Sequence, residues 1–259
     1  GREVARWLVE VHGVSKLILT SRRGPEAPGA SDFAEELASL GGEVQVVACD
    51  VSELESLKRA LDGVALRGVI HAAGILDDGL LSTQSPERLE RVMRPKVDGA
   101  WNLHQVTVGM PLEFFALFSS VAGVLGNPGQ GNYAGANTFL DSLAQYRRSQ
   151  GLPGVSIAWG PWSEGGMAAE LAAADQARMK RQGFGAIDNE EGMALLERAL
   201  TQAGALSIPV ALEPKRLEKA LERGGTGIPA LYRGLIRTKS TSTVSASALR
   251  QTLEALPEQ

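Results

Sequence analysis

The stretch FFALFSSVAGVLGNPGQGNYAGANTFLDSLAQYRRSQ, residues 114–150, joins an apolar run to a helical pattern through a linker of small residues. The apolar run over 114–120 predicts a buried strand, and the spacing over 131–150 predicts a helix. Two serines close the strand, and Tyr133 and Asn137 lie four residues apart, on one face of that helix. Glycine and alanine let another molecule approach the backbone, so hydroxyl groups among them indicate a binding or catalytic site. A capping serine and a packed tyrosine are the alternative.

The same alternation of strand and helix extends over most of the chain. Apolar runs predict further strands at 16–20, 44–49, 68–73, 155–159 and 208–212. Helical patterns lie between them, as at 31–42 and 52–63, so we expect an α/β fold with a doubly wound parallel sheet. Ligands bind such sheets at the carboxyl ends of the strands.

The two ends of the chain differ from this pattern. Residues 1–10 predict a helix that buries Val4, Leu8 and Val11, whereas a doubly wound sheet opens with a strand and a glycine-rich phosphate-binding turn. We therefore expect the first strand and this turn to be absent, with Gly1 as the last glycine of the turn. The Ser/Thr-rich opening of residues 239–259 predicts a linker toward a following domain, which leaves 1–238 as the main domain.

The composition narrows the classes of function. The chain has 259 residues, of which 44% are hydrophobic and 22% charged, as in ordinary globular proteins. A formal net charge of −4 predicts no binding to nucleic acid or to an anionic membrane, and no apolar run has the length of a membrane span. The single cysteine, Cys49, excludes an internal disulfide and suits a reducing cytoplasm. His12, His71 and His104 have no cysteine at ligand spacing, so we expect no metal site.

Lys96 is a second indication of chemistry, because it interrupts an apolar helical stripe within residues 86–103. The stripe consists of Leu89, Val92, Met93, Val97, Ala100 and Trp101. A lysine there either snorkels or pairs, or it points through the helix layer toward Tyr133 and lowers the pKa of that phenol. Pro95 predicts a kink that aims the lysine. The phenol would then donate a proton to a carbonyl oxygen held by Ser120, at the end of its strand.

Further candidate residues follow other strand ends. Ser21 and Arg22 follow the first predicted strand, where an arginine accommodates the 2′-phosphate of NADP, although a solvated loop is the alternative. Asp50 follows the next strand, either near an adenine or near the start of the following helix. Gly74, in the sequence HAAG, lets the backbone approach a bound molecule.

In combination, these motifs resemble the ketoreductases of modular type I polyketide synthases, which belong to the short-chain dehydrogenase/reductase superfamily and have a Rossmann-like fold. The matching stretches are SRRG, CDVS, HAAGILDDGLL, RPKVDGAWNLH, FSSVAGVLGNPGQGNYAGAN and AWGPWSEGGMA. Ordinary members of the superfamily carry Tyr-x-x-x-Lys. Here Asn137 stands at the lysine position and the lysine lies upstream at Lys96, which resembles the polyketide and fatty-acid synthase enzymes.

The resemblance implies NADPH-dependent reduction of a β-ketoacyl chain, held on the phosphopantetheine arm of an acyl carrier protein. Tyr133 would donate the proton and Ser120 would hold the oxygen, with Lys96 and Asn137 supporting the tyrosine and a proton relay. The cofactor would contact Gly1, Ser21, Arg22, Asp50, Val51, Ala73 and Gly74. The other partners would be neighbouring domains of the same polypeptide, with a carrier protein after the linker. A catalytically silent scaffold domain and an epimerase without net reduction remain the rival functions.

The resemblance also implies a stereochemical subtype. The sequence LDD resembles the marker of B-type ketoreductases, which form the D-configured alcohol, although an ordinary loop is the alternative. Leu125 stands where A-type enzymes carry tryptophan, and Gly135 stands where the subtype that selects epimerised substituents has proline, so we expect subtype B1. Residues 163–184 resemble the lid over the substrate, although an alanine-rich helix that simply covers the surface is the alternative. The stereocontrol residues assigned in this way are Leu76, Asp77, Asp78, Leu125, Gly135 and Met167.

Overall fold

The computed structural model describes residues 1–164, 177, 179–223 and 228–236. The strands are β1 (Lys16–Ser21), β2 (Glu43–Ala48), β3 (Gly68–His71), β4 (Phe114–Ser120), β5 (Val155–Trp159) and β6 (Leu206–Ser207). The helices are α1 (Arg2–Glu10), α2 (Ala30–Ser39), α3 (Leu54–Ala60), α4 (Pro86–Thr107), α5 (Ala122–Leu125), α6 (Gly131–Ser149), α7 (Asn189–Thr201) and α8 (Pro214–Arg223). Most crossovers between strands contain a helix, as expected for a doubly wound α/β fold.

Within the described residues, the strands form two parallel sheets. β1 pairs with β2, and β3, β4, β5 and β6 form a four-stranded sheet in that order. The doubly wound fold has the strand order 3-2-1-4-5-6. In that order, β2 and β1 of this chain take the places of strands 3 and 2, and β3 to β6 follow strand 1. The break between the two sheets therefore falls at the place of strand 1. The parallel pairing confirms the α/β, Rossmann-like prediction.

The last strand differs from its prediction. The sequence predicts a strand over 208–212, but β6 covers only Leu206–Ser207. Pro209 has no N–H to donate to a strand ladder, which limits pairing in this segment. The segment instead accepts separate hydrogen bonds, from Gly160 N to Pro209 O and from Gly185 N to Ala211 O, each at 2.8 Å. The prediction of β4 and β5 is correct at both ends.

The core lies on both faces of β4 and β5. Every residue of β5 is buried, and Phe115 on β4 is fully enclosed. Helices α4 and α6 pack on one side of the sheet, whereas Val4 and Trp7 of α1 pack with α7 on the other. Because both faces are covered, these strands are apolar without alternation. The prediction that Val11 is buried is wrong: α1 ends at Glu10, and Val11 is 64% exposed.

Helix α4 confirms only part of its predicted buried stripe. Val92 is fully buried and Lys96 is 2% exposed, but Leu89 and Trp101 are 42% and 40% exposed. At about 100° per residue, Trp101 lies about 140° around the helix from Lys96 and so leaves the buried face. Leu89 is in the first turn of α4, before the helix reaches the core. The buried part of the stripe is therefore limited to the middle of the helix, where Lys96 lies.

Further features of the described residues concern membrane crossing, metal binding and thiol reactivity. None of the described helices is long and apolar enough to cross a membrane. In the same part of the chain, no three histidine, cysteine or carboxylate side chains are placed to hold a metal ion. Cys49 is a buried free thiol, and burial raises its pKa, so that it stays protonated at neutral pH.

Candidate active site

A cavity of about 670 Å³ lies at the carboxyl ends of β3, β4 and β5. This is the end of a parallel sheet at which ligands bind. Seven residues that the sequence predicts to be functional line it: Gly1, Gly74, Leu76, Lys96, Ser120, Leu125 and Tyr133. The structure therefore brings residues from widely separated motifs to one site.

Tyr133 lies in the first turn of α6 and is 7% exposed. Asn132 fixes this turn: its Oδ1 accepts a hydrogen bond from Tyr133 N at 2.7 Å, and its Nδ2 donates to Asp77 O at 2.9 Å. Burial raises the pKa of the Tyr133 phenol, and the side chains of Asn137 and Ser120 oppose this only in part. The prediction of a lowered pKa is therefore wrong, because burial outweighs the polar neighbours. A raised pKa keeps the phenol protonated at neutral pH, as a proton donor requires.

Lys96 both pairs and points toward the tyrosine. Its Nζ donates a hydrogen bond to the Phe118 carbonyl at 2.8 Å and lies 5.4 Å from the centroid of the Tyr133 ring. Burial lowers the pKa of Lys96 to about 8, and the carboxylate of Asp141 opposes this shift. Asp141 is itself buried and accepts a hydrogen bond from Ser156 Oγ at 2.6 Å. Lys96 is therefore a mostly protonated amine beside the phenol at neutral pH.

Asn137 and the two serines connect α6 to the end of β4. Asn137 is fully buried, and its Nδ2 donates to the Tyr133 carbonyl at 2.7 Å, one turn earlier. Among the described residues, its Oδ1 has no hydrogen-bond partner. Ser119 Oγ donates to the Asn137 carbonyl at 3.3 Å, whereas Ser120 Oγ lines the cavity and accepts from Ala122 N at 3.2 Å. Ser120 thus has a local structural role, and its side chain also belongs to the site.

His71 is a residue of the site region that the sequence analysis treated as isolated. It ends β3, is 3% exposed, and lies 2.9 Å through Nε2 from the carbonyl of Pro95, the residue before Lys96. Burial, together with the charge of Lys96, lowers the pKa of His71 to about 4, so the ring is neutral and Nε2–H donates to that carbonyl. The side chain therefore fixes α4 beside Lys96. The sequence offered only the HAAG motif as a signal.

We expect the His71→Gln variant to lose less stability in acid than the wild type. The folded pKa of His71, about 4, lies below its usual value of 6.5, so stability falls as the pH falls from 6.5 toward 4. This contributes about 2 kcal/mol of destabilisation between pH 7 and pH 5, which glutamine cannot produce. Urea unfolding of both proteins at the two pH values measures the difference. Equal losses in the two proteins would show that His71 is not buried and neutral.

The LDD loop is tied to the helices that carry the catalytic candidates. Arg88 on α4 binds Asp77 at 2.6 Å and Arg91 binds it at 2.8 Å, and Arg88 is the main cause of the lowered pKa of this carboxyl. Asp78 accepts a hydrogen bond at 2.8 Å from Nε2 of Gln130, the residue before α6. Sequence reasoning missed Arg88 and Gln130. Their contacts place Leu76, at the start of the loop, in the cavity wall.

Two of the predicted cofactor residues line the cavity. Gly1 precedes α1 and lines the cavity, so the N-terminus of this helix lies at the cavity wall. Gly74 follows β3 and lies in the same wall. A helix N-terminus beside glycines at strand ends favours an anionic group such as the pyrophosphate of a dinucleotide. The residues present therefore fit a nicotinamide dinucleotide.

The other predicted cofactor residues lie outside the lining of this cavity. Ser21 Oγ accepts from Gly24 N at 2.9 Å, and Asp50 accepts from the backbone and the hydroxyl of Ser52, so both shape turns. The carbonyl of Val51 accepts a hydrogen bond from Asn102 Nδ2. Arg22 and Ala73 are exposed. All follow strand ends on the side where a dinucleotide would extend.

Three of the six predicted stereocontrol residues, Asp77, Asp78 and Gly135, lie away from the cavity wall, and a fourth lies outside the described residues. A Cβ on Gly135 would lie 3.2 Å from Cε of Met93, so this position packs against α4. Leu125, by contrast, lines the cavity. Met167 lies outside the described residues, as does most of the segment 163–184.

Comparison with known proteins gives a consistent family. The KR domain family matches residues 1–164. The polyketide synthase GfsB of Streptomyces halstedii is 46% identical over 263 residues, which cover 98% of this chain and 5% of that protein. The phenolphthiocerol synthesis polyketide synthase Pks15/1 of Mycobacterium marinum is 44% identical over 243 residues, which cover 92% of this chain and 12% of that protein. The chain thus spans a small part of these relatives.

Solved structures agree with the sequence relatives. The first ketoreductase of the tylosin polyketide synthase is 44% identical with a TM-score of 0.78, covering 85% of this chain and 48% of that one. An A1-type ketoreductase has a TM-score of 0.82 at 37% identity, covering 89% of this chain and 48% of that one. The fold is that of the short-chain dehydrogenases/reductases. Within that class, the chain belongs to the ketoreductase (KR) domain family of modular polyketide synthases.

Proposed function

We propose that this domain reduces a β-ketoacyl thioester to a β-hydroxyacyl thioester with NADPH, during extension of a polyketide chain. The observation that carries the proposal is the meeting of Tyr133, Ser120 and Lys96 in one cavity at the carboxyl ends of the strands. A protonated phenol, a hydroxyl and a buried amine form the set that the protonation of a developing alkoxide requires. The substrate is carried by the phosphopantetheine arm of an acyl carrier protein.

In this mechanism, the side chains handle the carbonyl oxygen. Ser120 Oγ donates a hydrogen bond to the oxygen and orients the ketone. Tyr133 gives its phenolic proton to the same oxygen, which becomes the hydroxyl group of the product. The ammonium of Lys96, beside the ring, stabilises the phenolate that remains. Asn137 supports the return of a proton to the tyrosine, because its Oδ1 is a buried acceptor with no partner among the described residues.

NADPH, when bound, would supply the hydride that the β-carbon of the ketone accepts. Gly1 at the start of α1 and Gly74 after β3, which line the cavity, would hold the pyrophosphate. Ser21, which ends β1, and Arg22, which follows it, would hold the 2′-phosphate, and Asp50, Val51 and Ala73 complete the predicted set. We expect a preference for NADPH over NADH, because an arginine at this strand end accommodates the 2′-phosphate.

We also propose that the product is the D-configured alcohol, formed by a B1-type enzyme. The support is local: Leu76 and Leu125 line the cavity, and Asp77 and Asp78 hold the LDD loop against α4 and α6. An A-type enzyme would carry a tryptophan at the position of Leu125. Because an A1-type structure superposes well on this chain, the overall fold does not distinguish the subtypes.

The test is an assay of the full-length protein with a β-ketoacyl thioester, following the absorbance of NADPH and the chirality of the alcohol. We expect NADPH to be consumed, NADH to be a poor substitute, and the D-alcohol to form. An L-alcohol would retain the reductase and overturn the B-type assignment. NADPH binding without turnover would favour the silent scaffold, and exchange at the α-carbon without NADPH consumption would favour the epimerase.

A further inference from the structure

A second opening, of about 440 Å³, lies outside the catalytic cavity and is rich in positive charge. The described residues that line it include five cations: Lys180, Arg181, Arg216, Lys219 and Arg223. We call this opening the basic groove. The chain as a whole has a net charge of −4, so the groove contrasts with the charge of the molecule. A concave cluster of cations concentrates anions from solution.

The basic and acidic side chains of helix α8 lie on different faces of the helix. Arg216, Lys219 and Arg223 follow one another at intervals of three and four residues, so they share the face that lines the groove. Leu217, on the inner face, is 3% exposed. The acidic Glu218 and Glu222 fall about 200° and about 240° around the helix from Arg216. Glu213, just before the helix, also binds Arg216, at 2.9 Å.

The basic groove adjoins the catalytic cavity. Ala220 lines both openings, and its neighbours Leu217 and Leu221 line the catalytic cavity. The same division occurs before α8: Lys180 lines the groove, and Met179 lines the cavity. One turn of helix therefore separates a positively charged surface from an apolar wall of the catalytic site.

We propose that the basic groove binds the phosphate of the phosphopantetheine arm while the acyl end of that arm lies in the catalytic cavity. This inference rests on the proposed function. Arginine offers paired N–H donors that match phosphate oxygens, and lysine adds mobile charge. The thioester arm is apolar or neutral apart from its phosphate. A charged groove next to an apolar cavity therefore matches the chemistry of the arm along its length.

The 2′-phosphate of the cofactor is a different anion with a different place in the fold. Ser21 and Arg22 end β1, in the two-stranded sheet. Helix α8, in contrast, follows β6, the outer strand of the four-stranded sheet. The groove and the predicted 2′-phosphate site are thus attached to separate sheets. Substitutions in the groove should leave the affinity for NADPH unchanged.

The test compares two substrates that differ by one phosphate. The pantetheine and 4′-phosphopantetheine thioesters of the same β-ketoacyl group are assayed with the full-length wild type, Lys219→Glu and Lys215→Glu. Lys215 is a matched control, because it is an exposed lysine on α8 that does not line the groove. We expect the phosphate to lower the KM about tenfold in the wild type and in the control, because charge-assisted phosphate contacts are strong. Lys219→Glu should abolish this difference and leave kcat for the pantetheine thioester unchanged.

Several results would overturn the proposal. Equal KM values for the two thioesters in the wild type would show that the phosphate is not bound. If the ratio of the two KM values in Lys219→Glu equalled the wild-type ratio, the phosphate would bind outside the basic groove. Calorimetric binding of phosphopantetheine itself is independent of turnover. Loss of that binding in Lys219→Glu supports the groove even if the proposed reduction fails.

Discussion

The Tyr133→Phe variant is expected to lose about 10²- to 10⁴-fold in kcat for ketone reduction, with NADPH binding unchanged. The phenol is the proton donor of the proposed mechanism, and phenylalanine keeps the ring that packs at this 7% exposed position. The raised pKa of Tyr133 means that the wild type holds the proton throughout the neutral range. Stopped-flow or steady-state loss of NADPH absorbance measures the rate, and cofactor fluorescence measures binding.

The matched control for this experiment lies on the same helix. Tyr146 is 46% exposed and does not line the catalytic cavity, so Tyr146→Phe removes the same atom from α6 without touching the site. We expect wild-type rates from this control. If Tyr133→Phe retained full activity, another group would have to protonate the oxygen, and the role assigned to Tyr133 would be wrong.

The parts of the site that depend on local sequence were predictable. A run of apolar residues gave β4 and β5, and helical spacing placed Tyr133 and Asn137 on one face of α6. The buried position of Lys96 also followed from its place in an apolar stripe. In each case, the property comes from spacing along a single element, which the sequence contains directly.

The parts that depend on tertiary contacts were not predictable. The bond from His71 to the Pro95 carbonyl joins residues on β3 and α4, and no spacing rule relates them. The binding of Asp77 by Arg88 depends on how the LDD loop folds back onto α4. The direction of the Tyr133 pKa shift was predicted wrongly for the same reason. The sequence shows that a lysine is available, but the pKa of the phenol is set by its burial and by the side chains of Asn137 and Ser120, which depend on the packed structure.

Lys96→Met is expected to reduce activity and to change the pH dependence of stability, with the two effects arising from the same buried amine. Loss of the charge beside Tyr133 should lower kcat by about 10²-fold, within the range for a group that supports proton transfer. Burial lowers the pKa of Lys96 from 10.5 to about 8, which corresponds to about 3 kcal/mol of unfavourable free energy at neutral pH. Methionine fills a similar volume without that charge.

The sign of the stability effect follows from proton binding. Between pH 8 and pH 10.5 the unfolded wild-type chain holds a proton on Lys96 that the folded protein has lost, so the wild type gains stability as the pH rises through this window. The methionine variant has no such gain. Its lost hydrogen bond to the Phe118 carbonyl is a constant offset at every pH. The free energy of unfolding of the variant minus that of the wild type should therefore fall by about 3 kcal/mol between pH 7 and pH 10.5. A difference that stays constant over this range, in denaturant titrations at several pH values, would mean that Lys96 titrates as an exposed amine and does not act as a buried charge at the site.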